Sequence, residues 1–279
     1  MIVPFQKDPA LLADLNALNG DVSGLHVWWL GQSGYLIQCE GARMLVDPYL
    51  SDSLTLKYAQ TDKPHVRMTE RCIDPAQLTG IPLVLSSHQH TDHFDEATLG
   101  ALATSNPGFT LIVPAGVEAQ AKQRLAETDL QWQTLDSGQS LVIHGWTVTG
   151  IAAAHNTVER DDAGHCKFLG FVIQRGGFTL YHSGDTLLHP DLAASLRPFA
   201  PDVAFVPING NKPERRVAGN LSPPEAAQLC REIGAGLGVP HHYEMFEFNT
   251  ADPQDFVNAC VAVGQAHRVL RCGERFSLA

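Results

Sequence analysis

Four potential metal ligands stand close together in the string SSHQHTDHFD, namely His88, His90, Asp92 and His93. Imidazole nitrogens and carboxylate oxygens are the ligands that zinc, manganese and iron accept at catalytic sites. Because alternate residues of an extended segment point the same way, His88 and His90 can bind one ion together. Asp92 and His93 lie a turn further on and can face a second ion. A chance cluster of solvated histidines is the alternative, but the spacing directly after the apolar run 81–85 favours a metal site.

Two ions held by these residues would support hydrolysis. Metals about 3.5–4 Å apart clamp one water between them and lower its pKa toward roughly 7, which makes hydroxide available at neutral pH. The sequence has neither a glycine-rich phosphate loop nor a serine nucleophile elbow, so phosphoryl transfer from ATP and serine hydrolysis are unsupported.

Short apolar runs bounded by Gly, Pro and Asn predict the strands that position these side chains. The predicted strands are Leu25–Leu30, Tyr35–Gln38, Met44–Asp47, Leu83–Ser87, Thr110–Val113, Thr147–Ala153, Phe168–Gln174, Phe178–His182, Asp202–Val206 and Leu237–Pro240. The predicted helices are Glu96–Thr104, Gly116–Glu127, Pro190–Leu196, Pro223–Ile233 and Pro253–Val263. Runs of strands with helices between them indicate two sheets packed face to face with helices outside.

Two of the predicted helices have a recognisable start. Ser222, followed by two prolines and Glu225, predicts a cap, a proline in the first turn and a first-turn acid. Thr250, placed before Ala251 and Asp252, predicts a weaker start of the same kind.

The pattern HxHxDH, here residues 88–93, is the signature of the metallo-β-lactamase superfamily, and the chain resembles that superfamily over most of its length. Further candidate ligands follow in the family's order at predicted strand ends: His155 in GIAAAHN, Asp185 in FTLYHSGDT and His242 in LGVPHHYEMF. The segments WWLGQSGYLI, YHSGDT, GNLSPPEAAQL and VPHHYEMFEFNTADPQDF are similar to the L-ascorbate-6-phosphate lactonase-like branch, whereas residues 58–75 do not match it.

The resemblance implies an α/β fold: a four-layer αββα sandwich, with two mixed β-sheets packed face to face and helices outside, in one domain over residues 1–279. It also implies two divalent metal ions, with Zn or Mn expected first and Fe or Co as alternatives. The implied ligands are His88, His90 and His155 for the first ion, Asp92, His93 and His242 for the second, and Asp185 as the bridge. Asp92 and Asp185 are the expected catalytic carboxylates.

The same resemblance places three further residues near the site. Asp47 stands where the family keeps an acid that orients a ligand histidine, and a simple turn residue is the equal alternative. The family's proline, any residue, histidine order selects His242 as the ligand, which leaves His241 as a pocket residue or a support for the ligands. His182 precedes the Ser-Gly-Asp turn and is interpreted as packing or as a support for the ligands.

A lactonase acting on a sugar-acid lactone, with or without a phosphate, is the activity that the resemblance implies, with a bridging hydroxide attacking the carbonyl. A phosphodiesterase on the same dinuclear centre is the alternative, because such a centre can present hydroxide to phosphorus equally well. A di-iron oxidoreductase fits less well, since those proteins usually carry Glu in place of His90 together with a fused flavin domain.

Composition sets the expected context of the enzyme. The net charge of −11 disfavours nucleic acid, whose binders carry basic patches, so a small-molecule substrate is the expected partner. No apolar run approaches the roughly 18 residues that span a bilayer, and the first residues lack a signal-peptide pattern. We therefore expect a cytoplasmic hydrolase without a membrane partner, and homo-oligomerisation stays open. The six scattered cysteines are expected to be free thiols.

Overall fold

The computed structural model describes all 279 residues and contains 13 strands. The first sheet is built from β1 (Leu25–Gly31), β2 (Gly34–Cys39), β3 (Ala42–Val46), β4 (Leu83–Leu85), β5 (Thr110–Pro114), β6 (Gln131–Leu135) and β13 (Arg275–Leu278). The second is built from β7 (Ser140–Ile143), β8 (Trp146–Ala152), β9 (Leu169–Arg175), β10 (Phe178–His182), β11 (Val203–Pro207) and β12 (Leu237–His241).

Seven α-helices connect these strands: α1 (Pro9–Ala17), α2 (Ser53–Tyr58), α3 (Glu96–Ser105), α4 (Glu118–Arg124), α5 (Leu192–Leu196), α6 (Pro223–Glu232) and α7 (Pro253–Val263). Short 3-10 turns occur at Pro75–Gln77, Ala115–Val117 and Pro213–Arg215. None of the helices has the length and apolar character needed to cross a membrane.

Each sheet combines antiparallel and parallel pairs. The first has the order β13-β1-β2-β3-β4-β5-β6, antiparallel from β13 to β3 and parallel from β3 to β6. The second has the order β12-β11-β10-β9-β8-β7, parallel from β12 to β10 and antiparallel from β10 to β7. The prediction of two mixed sheets with helices is therefore confirmed.

One hydrophobic cluster of 65 buried residues takes side chains from both sheets. Strands β1, β2, β5 and β11 are buried along their whole length, as expected for strands covered on both faces. Helix α5 packs on β8, and α6 packs on β11 and β12. The resulting sandwich holds the strand ends, and the side chains just beyond them, in fixed positions.

A second, smaller hydrophobic cluster lies apart from this core. It contains Tyr49, Leu54, Met245 and Phe246, with Tyr58 and Phe248 packed against it. The cluster joins helix α2 to the loop that follows β12, and so builds a wall outside the sandwich.

Several short elements were missed by the sequence prediction. Strands β6 and β7 lie at the far edges of their sheets, and their residues alternate between exposed and partly buried positions. Because edge strands of this kind need no continuous apolar run, the pattern used to find strands did not detect them. Strand β13 and helices α1 and α2 were missed as well.

Some predicted boundaries were wrong. The helix predicted from Gly116 begins as a 3-10 turn and is α-helical only over Glu118–Arg124, and α5 begins at Leu192. Asp252, not Thr250, caps α7, since its side chain accepts the N–H of Gln254. The start of α6 was predicted correctly: Glu225 accepts both the backbone N–H and the hydroxyl of Ser222. All six cysteines are unpaired, as predicted.

Candidate metal centre

All seven predicted metal ligands lie just beyond the carboxyl ends of strands. The 88–93 motif follows β4, while His155 follows β8, Asp185 follows β10 and His242 follows β12. Since β4 belongs to one sheet and the other three strands to the second, the ligands meet where the two sheets come together at one end of the sandwich.

The structure brings these ligands into three overlapping groups, and the ligand atoms of each group lie within 4.8 Å of one another. The groups are His88 with His90 and His155, Asp92 with His93 and His242, and His88 with His93 and Asp185. The first two groups match the two ligand sets predicted from the sequence.

Asp185 lies between the two sets and turns one carboxylate oxygen toward each. Its Oδ2 is 3.4 Å from Nε2 of His155. Its Oδ1 is 2.8 Å from Nε2 of His242 and 3.2 Å from Nε2 of His93. This is the position from which one carboxylate could serve two ions.

Two buried atoms at the centre fit a cation better than a hydrogen bond. Nε2 of His88 and Oδ1 of Asp185 have no hydrogen-bond partner, although Oδ1 lies close to two imidazole nitrogens. An unpartnered buried polar atom is costly, and native proteins rarely leave one without a ligand. A set of five histidines and two carboxylates without thiolates suits Zn, Mn, Fe or Co.

Neighbouring groups hold two ligand histidines in the required tautomer. Nδ1 of His93 is 2.6 Å from the buried carboxylate of Asp47, and Nδ1 of His155 is 2.9 Å from the carbonyl oxygen of Gly219. In each ring the proton on Nδ1 is bound, so Nε2 presents its lone pair to the centre. Asp47 therefore makes the contact expected of an acid that orients a ligand histidine.

Burial and charge separate the pKa values of the ligands. Burial lowers the pKa of His90 to about 4 and the pKa of His88 well below its usual range, which favours the neutral rings that bind metals. Burial alone would raise the pKa of Asp185, but His242, His93 and His155 hold it well below its usual range. The site therefore keeps its bridging carboxylate ionised.

His93 differs from the other rings because carboxylates surround it. Burial opposes its protonation, yet Asp185, Asp92 and Asp47 raise the pKa of His93 well above its usual range. The same negative potential favours a divalent cation, whose binding would displace that proton.

His182 and His241 lie behind the ligands, and neither lines the cleft in front of them. Their rings stack at 5.2 Å with an interplanar angle of 7°, and Nε2 of His182 is 2.8 Å from the carbonyl oxygen of Ser33. Of the two roles left open for His241, a pocket residue or a support for the ligands, its fully buried position fits the second. Asp47 is likewise fully buried and cannot contact a substrate.

An open cleft of about 790 Å³ leads to the centre. His90, Asp92, His155, Asp185 and His242 line its floor. An aromatic wall of the same cleft is formed by Tyr58, His65, Phe246 and Phe248, none of which was singled out from the sequence. The rings of Tyr58 and His65 stack at 4.2 Å, and Phe248 meets His65 edge-on at 4.5 Å.

The aromatic wall is tied to the metal-binding loop. Asp95, two residues beyond His93, accepts a hydrogen bond from the hydroxyl of Ser53 at the start of α2. Thr55, on the same helix, donates to the carbonyl oxygen of His65.

Comparison with known proteins identifies the family of the chain. The model of a family described as the beta-lactamase superfamily domain matches residues 42–243. A metal-dependent hydrolase of Rubrobacter xylanophilus is 27% identical over 241 residues, covering 84% of this chain and 88% of that protein. Another, of Azorhizobium caulinodans, is 28% identical over 265 residues, covering 91% of this chain and 100% of that protein.

Solved structures support the fold. A possible metal-dependent hydrolase from Veillonella parvula superposes with a TM-score of 0.73 at 16% identity, covering 92% of this chain and 100% of that chain.

Proposed function

The chain belongs to the metallo-β-lactamase superfamily as a metal-dependent hydrolase, and we propose that it uses two divalent ions to hydrolyse a lactone of a sugar acid. The observation that carries the two-ion part is the position of Asp185, with one carboxylate oxygen near each of the two ligand sets. Zn or Mn is proposed first, with Fe or Co as alternatives.

The ions, when bound, supply a Lewis acid for the scissile group and an activated water nucleophile. The chain's own residues hold and orient the reactants. Asp92 is 17% exposed at its side chain and lies on the cleft floor beside Asp185. Each of these carboxylates can accept a hydrogen bond from a water, which would fix that water's direction toward a substrate lying in the cleft.

The aromatic wall supports a ring-shaped substrate. Tyr58, His65 and Phe248 give the cleft an aromatic surface, against which the C–H face of a sugar-acid ring can pack while its carbonyl lies over the floor. This packing would exclude water from one face of the lactone and hold its carbonyl in place.

A cation at the rim supports a phosphate on that substrate. Of the two basic residues that line the cleft, Arg124 pairs with Glu96 at 2.6 Å. Lys57 has no carboxylate within 4 Å and lies with Nζ 5.3 Å from the centroid of the Tyr58 ring. We therefore propose that Lys57 pairs with an anionic substituent. The same cation would suit a phosphodiester, which keeps phosphodiesterase activity as the second candidate.

The test uses metal-stripped protein reloaded separately with Zn²⁺, Mn²⁺, Co²⁺ or Fe²⁺. Rates are measured on sugar lactones with and without a phosphate, and on cyclic and linear phosphodiesters. We expect metal-dependent turnover that is fastest on the lactones. Lys57→Met should raise KM for the phosphorylated lactone about two- to fivefold, the size of one exposed ion pair, and leave KM for the neutral lactone unchanged.

Different results separate the parts of this proposal. Faster turnover of phosphodiesters by the same reloaded sample would replace the lactone assignment. Turnover that is complete with one ion per chain would contradict the dinuclear assignment and leave hydrolysis standing.

A further inference from the structure

Gln32 occupies a strained and fully buried position in the turn between β1 and β2. Its φ of 50° lies in the left-handed region that glycine prefers. Its carbonyl oxygen accepts the indole N–H of Trp29 and the backbone N–H of His242. A long polar side chain buried on strained backbone needs a reason, since an apolar residue would satisfy packing alone.

The side-chain amide of Gln32 contacts two of the proposed ligands. Its Nε2 donates to Oδ2 of Asp92 at 2.9 Å and lies 3.1 Å from Nδ1 of His242. Its Oε1 is buried and has no hydrogen-bond partner. The amide nitrogen therefore lies between two proposed ligands, and the amide oxygen is within hydrogen-bonding distance of neither.

The amide nitrogen of Gln32 lies against the ring of His242. That ring turns Nε2 toward Asp185, so Nε2 is the nitrogen that would bind the metal. For two other ligand rings the group that contacts Nδ1 is Asp47 or the carbonyl oxygen of Gly219. Gln32 is the side chain that contacts Nδ1 of His242.

We infer that Gln32 is a positioning residue for the second ion, because its amide nitrogen donates to Asp92 and lies against the ring of His242. The inference rests on the proposed two-ion centre. A glutamine suits this position because its amide nitrogen carries N–H donors, one of which holds the Asp92 carboxylate. Gln32 makes no hydrogen bond to His88, His90 or His155, so its effect should be confined to one of the two ions.

The test compares Gln32→Met with Gln38→Met. Methionine keeps the length and apolar volume of glutamine and removes both amide functions. Gln38 is a matched control because it is also buried and hydrogen-bonded, on neighbouring β2, but its partners are the carbonyl oxygen of Leu18 and the side chain of Arg43. Two readouts are needed: stepwise metal affinity by chelator competition, and occupancy of each position by anomalous diffraction at limiting metal.

We expect Gln32→Met to weaken binding of the ion at Asp92, His93 and His242 by about 10- to 100-fold, the usual effect of removing a hydrogen-bond partner of a metal ligand. The ion at His88, His90 and His155 should bind with wild-type affinity. Gln38→Met should bind both ions with wild-type affinity. Gln32→Glu, which removes the donor and places a carboxylate against Asp92, should also lose the second ion. This variant keeps the question answerable if Gln32→Met fails to fold.

Each outcome has a distinct meaning. Two tightly bound ions in Gln32→Met, or an equal loss of both ions, would overturn the positioning role while the dinuclear function stands. A wild-type protein that binds fewer than two ions would overturn the proposed function, and the inference with it.

Discussion

Replacing Asp47 by Asn tests whether one buried carboxylate sets the tautomer of His93. The Asp47 carboxylate accepts the backbone N–H of Ser87 at 2.7 Å, the Ser87 hydroxyl at 2.6 Å and Nδ1–H of His93 at 2.6 Å. Asn has nearly the same shape, and it tolerates the left-handed backbone at this position, where φ is 45°. The substitution therefore changes hydrogen bonding and charge with little added backbone strain.

The Asn side chain can still accept from the Ser87 N–H with its oxygen and donate to the Ser87 hydroxyl with its nitrogen. Its NH₂ group would then oppose Nδ1–H of His93, so two donors would face each other. A neutral His93 can relieve this conflict by moving its proton to Nε2, the nitrogen that faces Asp185 and Asp92. Nε2 would then no longer present a lone pair to the second ion.

Two independent magnitudes agree on the size of this effect. A hydrogen bond to a charged group contributes about 1.5–3 kcal/mol. Loss of a partner that orients a ligand weakens metal binding by about 10- to 100-fold, which corresponds to about 1.4–2.7 kcal/mol. We therefore expect Asp47→Asn to weaken binding of the second ion by about 10- to 100-fold.

The assay is chelator-competition titration of metal-stripped protein at neutral pH, with thermal unfolding of the metal-free form as a check. Asp14→Asn is the control. Like Asp47, Asp14 accepts a hydrogen bond from the N–H of an aromatic ring, here the indole of Trp28 at 2.8 Å, but it lies on α1 away from the ligands. It should bind both ions as the wild type does. Wild-type affinity for the second ion in a folded Asp47→Asn protein would refute the tautomer argument.

Three further predictions concern the bridge, the nucleophile and a helix start. Asp185→Ala should lose both ions in metal analysis while His182→Ala, which removes only a neighbour, retains them; the reverse ranking would show that Asp185 is not the bridge. Activity should vanish with a chelator, return with metal, resist serine-directed reagents and rise toward alkaline pH. Glu225→Ala should lower the free energy of unfolding in urea by about 1 kcal/mol, whereas Gln228→Ala, on the exposed face of α6, should change it by less than about 0.5 kcal/mol.

The sequence was sufficient to predict that the candidate ligands meet at one end of the fold, because each one follows an apolar strand. His155, Asp185 and His242 are separated by tens of residues, yet each comes directly after a run that the sandwich buries. Strands buried on both faces need continuous apolar character, which makes them visible in one sequence. The register of those strands then places the residues beyond them at a common end.

The wall of the cleft was not visible for the opposite reason. Helix α2 is six residues long and packs in the small cluster apart from the main core. The stability of a helix this short is marginal from propensity alone. Long-range hydrogen bonds, such as the one from Ser53 to Asp95, therefore fix its position. Neither His65 nor Phe248 belongs to a periodic segment, and only the folded chain shows that their rings meet.

Gln32 lies between these two cases and shows which sequence signal was overlooked. The segment WWLGQSGYLI is apolar on both sides of a short turn, and in the fold every residue of it is buried. A turn on the surface can hold any polar residue, but a turn that closes two fully buried strands must satisfy each polar group internally. A long amide side chain in such a turn therefore predicts a buried polar partner elsewhere in the chain. Here the partners are Asp92 and His242, which lie 60 and 210 residues further along the chain. The glutamine in the turn therefore indicates the candidate metal centre, although it lies outside the 88–93 motif.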